Sequence, residues 1–68
     1  MNEETFNLSM RKFLNKVGVG SQNEIEKAVA KALADDAITG SETFPVTMTL
    51  DIAGLKLKVD FEGRISLE

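Results

Sequence analysis

The sequence predicts an α+β fold, with two N-terminal helices packed on one face of a three-stranded antiparallel β-meander. Three observations predict it. Apolar residues recur every three or four positions through the first half of the chain, the helical period. After residue 42 the period falls to two, the strand period. Glycine-bearing stretches at 18–20, 53–54 and 62–63 then divide the chain into pieces of element length. The expectation is a single domain over residues 1–68, with helices over about 3–17 and 22–36 and strands over about 45–52, 55–61 and 64–67.

The first helix has a start signal and a stripe. Asn2 can cap its N-terminus, and Glu3 and Glu4 fall in the first turn, where the helix dipole favours anions. Phe6, Met10, Phe13, Leu14 and Val17 share one face. Arg11, Lys12 and Lys16 occupy the C-terminal half, and Gly18 follows as a left-handed terminator. The second helix is expected to begin at a capping box, Ser21-Gln22-Asn23-Glu24, in which serine and glutamate satisfy each other's backbone N–H groups. Ile25, Ala28, Val29, Ala32 and Leu33 form its stripe. Asp36 falls on the apolar side of that wheel, so the helix should end between Ala34 and Ala37, and Gly40 closes the region.

Val46, Met48, Leu50 and Ile52 alternate with Thr47, Thr49 and Asp51, and Leu55, Leu57, Val59 and Phe61 alternate with Lys56, Lys58 and Asp60. A two-residue turn at Ala53-Gly54 would set Leu50 opposite Leu57, Met48 opposite Val59 and Val46 opposite Phe61. A one-residue slip would mix the faces throughout, so register is well specified. A second turn at Phe61-Glu62-Gly63 would start a third strand at Arg64, with Val59 opposite Ile65.

Composition bounds the chemistry. The chain has 68 residues, 8 Lys+Arg against 11 Asp+Glu for a net charge of −3, and neither Cys nor His. Disulfides, thiolate nucleophiles, Ser-His-Asp triads and zinc sites with Cys or His ligands are therefore excluded within the chain. A general base near neutrality would have to be a buried carboxylate or lysine, and a domain this small offers little depth. The acidic opening Met1-Asn2-Glu3-Glu4-Thr5 is not a signal peptide, and no apolar run is long enough to span a bilayer. The expectation is cytoplasmic residence, no enzyme activity, no cofactor and no metal.

The stretch RKFLNKVGVGSQNEIEKAV (residues 11–29), with the hairpin around LDIAGLKLKVDFEG, resembles a family of short bacterial proteins of unknown function. The resemblance covers nearly the whole chain. It implies a small cytoplasmic protein with two helices and a terminal β region, and it carries over no activity, cofactor or catalytic residue.

Two functional readings remain from different classes. The first is a non-catalytic protein–protein interaction module, bound to an unidentified protein or weakly to a second copy. Leu8 and Ile38 lack a place in the expected core, which makes them candidate partner-facing residues. Val46, Thr47, Thr49 and Asp51 lie on a first strand that carries no Lys and one charge, an edge weakly guarded against pairing with another chain. The second reading is a DNA-binding winged helix-turn-helix, with the turn at Val17-Gly18-Val19-Gly20 and with Gln22, Asn23 and Lys27 facing base edges. Glu24 and Glu26 would stand beside phosphates, and no third helix precedes the motif, so the sequence argues against nucleic acid. Asp35 and Asp36, with Glu42 nearby, are acidic but lack the spacing of a calcium loop. Gly18-x-Gly20 lacks the preceding strand and the lysine of a phosphate loop.

Overall fold

The computed structural model describes all 68 residues, Met1–Glu68. It contains one long helix and one β-hairpin, in the order α1 (Glu3–Ala34), β1 (Thr43–Ile52), a 3₁₀ turn (Ala53–Leu55) and β2 (Leu57–Ser66). The chain divides into two units, Met1–Asp35 and Asp36–Glu68. It is α+β, but the expected two helices and three-stranded meander are overturned: α1 runs unbroken for 32 residues and the sheet has two strands.

α1 starts as the sequence indicates. The Asn2 Oδ1 accepts a hydrogen bond from the Thr5 N–H at 3.0 Å, with Asn2 itself in extended backbone. The helix then passes straight through Gly18, Val19, Gly20 and Ser21. Each interior glycine costs about 1 kcal/mol relative to alanine. Breaking the helix would instead orphan four N–H and four C=O groups at the new ends, with only a three-residue connection to re-satisfy them. No proline forces the break. Continuity also fuses the two expected stripes, because Val17, Ser21 and Ile25 follow at steps of four. Val17, Ser21, Ile25, Val29 and Ala32 are the half-buried residues of this helix.

The C-terminus falls where the wheel indicated. Asp35 is the C-cap, its N–H donating to the Lys31 carbonyl at 2.9 Å, and Lys31 Nζ reaches the Asp35 carboxylate at 2.8 Å. Asp36 follows in the left-handed region, at φ 56°.

The hairpin keeps the expected faces but shifts register by two residues. Ile52 lies opposite Leu57, Leu50 opposite Val59, Met48 opposite Phe61, Val46 opposite Gly63 and Phe44 opposite Ile65. Leu50–Leu57, Met48–Val59 and Val46–Phe61 are therefore not pairs. The reason lies in the loop. A two-residue hairpin turn of the favoured primed types needs φ > 0 at its first residue, which here would be Ala53. The chain instead makes a four-residue connection, residues 53–56, as a tight 3₁₀ turn closed by Lys56 in the left-handed region at φ 53°. The third strand does not exist separately, because Glu62 and Gly63 are extended within β2 and residues 64–66 continue it. That extension adds the pairs Phe44–Ile65 and Thr43–Ser66.

All ten residues of β1 are paired, so the polar face carries Thr43, Pro45, Thr47, Thr49 and Asp51 opposite Ser66, Arg64, Glu62, Asp60 and Lys58. Thr49 donates from Oγ1 to the Asp60 carboxylate at 2.7 Å, and the Thr43 and Ser66 hydroxyls meet at 3.2 Å. On the other face every position is apolar or glycine. No side chain in either unit is buried.

Candidate interaction surfaces

The direction of the backbone groups on β1 follows from one bond. Leu67 N–H donates to the Glu42 carbonyl at 2.9 Å, which continues the ladder register by one step. Hydrogen-bonded pairs alternate with non-bonded pairs in an antiparallel ladder. Even-numbered residues of β1 therefore turn their N–H and C=O toward β2, and Thr43, Pro45, Thr47, Thr49 and Asp51 turn theirs outward. Pro45 stands where its missing N–H costs the hairpin nothing. The matching outward residues of β2 are Lys58, Asp60, Glu62, Arg64 and Ser66. The two edges differ in charge: four of the five outward residues of β2 are charged, against one of the five on β1.

The apolar face of the hairpin is substantially open to solvent. Phe44, Met48, Ile52 and Val59 are 37–43% exposed and Phe61 is 60% exposed, while Val46, Leu50, Leu57 and Ile65 are half-buried. Gly63 leaves room beside Val46, whose Cγ1 would lie 3.8 Å from a Cβ built there. Pro45, Val46, Thr47, Glu62, Gly63 and Arg64 line an open depression at this point.

The connection to the hairpin is held by a carboxylate. Glu42 accepts from the N–H groups of Thr39 (2.8 Å), Gly40 (2.9 Å) and Ser41 (3.1 Å), and from the Thr39 hydroxyl (3.2 Å). Gly40 adopts φ 99°, which an L side chain rarely tolerates. The Thr39 N–H above all, then the N–H groups of Gly40 and of Glu42 itself and the Thr39 hydroxyl, hold the Glu42 carboxyl below its ordinary range, against the opposing effect of partial desolvation. Sequence reading missed this cradle. Its signal was present, as a Thr-Gly-Ser turn one residue ahead of an acceptor. Glu42 is thus occupied locally, Asp35 faces Lys31, and no group of three acidic side chains converges.

The sequence-selected residues separate between the two units. Leu8 is exposed on α1, at 59%. Ile38 is half-buried in the segment leading to β1. Val46, Thr47, Thr49 and Asp51 are together on β1, with Val46 on the apolar face and the other three on the polar face and outer edge. Gln22, Asn23 and Lys27 are exposed on α1, where Gln22 donates to the Glu26 carboxylate at 3.0 Å. The turn that a helix-turn-helix requires before them is helical.

The chain is thus a small α+β protein made of one long helix and one hairpin, with no helix long and apolar enough to cross a membrane. It belongs to a family of unknown function, DUF6494, whose model matches residues 1–68. No curated protein and no solved structure matches it.

Proposed function

We propose that the protein is an interaction module whose apolar surfaces are covered by another protein chain. The observation that carries this reading is the hairpin's apolar face, with Phe44, Met48, Ile52, Val59 and Phe61 all more than one-third exposed. A two-stranded hairpin has no interior of its own and is marginal in water. Contiguous exposed apolar surface of this kind marks interaction sites in soluble proteins. The residues assigned to contact are Val46, Thr47, Thr49 and Asp51 of β1, with Leu8 and Ile38, and the role requires no group transfer.

A polarity-sensitive dye tests the reading. At micromolar concentration the free chain should bind the dye, and dye binding should fall when a partner chain covers the apolar face. A dilute monomer that binds no dye and unfolds in one cooperative transition would overturn the reading, because its apolar surface would then be satisfied within one chain.

A further inference from the structure

We infer that the partner is a second copy of this chain, joined antiparallel along the outer edge of β1 with Thr49 opposite Thr49 of the second copy. The inference rests on the interaction reading above, in which β1 meets another chain, and adds the occupant of its outer edge and the register; edge pairing sets the two apolar faces side by side and leaves them open to a further contact.

The choice of edge follows from the charge difference. The outer edge of β2 carries Lys58, Asp60, Glu62 and Arg64, the pattern that blocks strand addition. The outer edge of β1 offers the free N–H and C=O groups of Thr47, Thr49 and Asp51, interrupted only at Pro45. A strand that pairs must bring outward groups of its own, and in this chain the least guarded such strand is β1 itself. Twofold symmetry makes the contact self-complementary.

The register follows from proline and from face matching. Twofold pairing must set outward residues against outward residues. With Thr47 opposite Thr49, Asp51 would face Pro45 of the second copy, and one carbonyl would lack its donor. With Thr49 opposite Thr49, the bonded pairs are Thr47–Asp51, Thr49–Thr49 and Asp51–Thr47, which exchange about six N–H···O bonds and leave both prolines outside. The intervening close pairs are then Met48 with Leu50 and Val46 with Ile52 of the second copy, apolar against apolar. On the polar face, the Thr47 hydroxyl stands beside the Asp51 carboxylate of the second copy. The product is a four-stranded sheet with one continuous apolar face, past the three strands that independent stability requires.

The test uses the full chain in sedimentation equilibrium, with two matched variants. Thr47→Pro removes one outward N–H from the edge of β1 without touching the ladder. Glu62→Pro does the same on β2. Thr47→Pro should weaken dimerisation by about tenfold or more, and Glu62→Pro should leave it unchanged. Thr49→Lys, which sets two cations against each other at the twofold axis, should also give a monomer. The intramolecular Hα–Hα contact of Thr49 with Asp60 reports that each variant keeps its hairpin. In a mixed labelled and unlabelled wild-type sample, an intermolecular Hα–Hα contact between Met48 and Leu50 should appear. A dimer that survives both β1 variants, or lacks that contact, overturns this inference and leaves the interaction reading standing. A wild-type monomer at millimolar concentration also overturns it, and dye binding then decides the broader reading separately: a monomer that binds dye preserves it, and one that does not removes both.

Discussion

Gly18, Gly20 and Ser21 are the residues at which local chemistry and structure diverge. All three are helical, and a Cβ at either glycine would meet no atom within 4 Å. Gly18→Ala and Gly20→Ala should therefore each stabilise the helix by about 1 kcal/mol, read as a higher denaturation midpoint at 222 nm. Ser21→Ala separates two helices from one by its sign. At a true N-cap the change would cost about 1 kcal/mol. In a helix interior it should be stabilising by a few tenths, since serine is the poorer helix former. Glu42 makes a different statement. Its carboxyl is held below its ordinary range in the fold, so its contribution is fully present above that range and is lost as pH falls through and below it. An NMR titration should place the Glu42 midpoint below the ordinary glutamate range. Glu42→Gln should speed amide exchange at Gly40 and Ser41, whose N–H groups it holds. A Glu42 midpoint within the ordinary glutamate range would show the cradle is not formed in solution.

At the scale of the element, the hairpin was largely legible and its register was not. Strict alternation through both runs fixed which side chains share a face, and a two-residue shift preserves that property. Choosing between registers depends on the loop, where Gly54 drew the turn toward itself. The left-handed position belongs to Lys56 instead. Lys56→Gly should accordingly stabilise the hairpin by about 1 kcal/mol, measurable by thermal melting. Hα–Hα contacts of Thr49 with Asp60 and of Thr47 with Glu62 confirm the register; a Thr49–Lys58 contact would restore the two-residue turn. The helix was legible at both ends, through Asn2 and the Asp35–Asp36 pair, and misread in the middle. Glycine, valine, glycine and serine in succession carry every local mark of a helix end. What those marks lack is any penalty for continuing that approaches the cost of eight unsatisfied backbone groups.

For the whole molecule, composition constrained chemistry more firmly than it constrained architecture. The absence of Cys and His removed several classes of catalytic and metal site outright, whereas the number of elements depended on two turns that did not form. The candidate surface was half legible. The sparse charge of β1 could be read directly, but which of its residues turn their backbone outward depends on the ladder, and so on the loop. If a second copy pairs along the outer edge of β1, stability must depend on mass action. The melting temperature should rise steadily as protein concentration is raised from micromolar to millimolar. A constant value over that range would place all of the stability within one chain.

The ladder also sets a clock. Its pairs widen regularly from Ile52–Leu57 at the loop to Thr43–Ser66 at the open end, 23 positions apart. Each pair formed brings the next within reach, so the chain never has to search for a distant strand. Hairpins of this kind close in about 1–10 μs, and helices relax in about 0.1–1 μs. Encounter between two chains is far slower at micromolar concentration, even at a typical protein association rate. After a temperature jump, the microsecond relaxation should be independent of concentration, and a slower phase should accelerate as the protein is concentrated. In the cell, a newly made copy would finish its own elements long before it met another, with the outer edge of β1 already formed at the moment of collision.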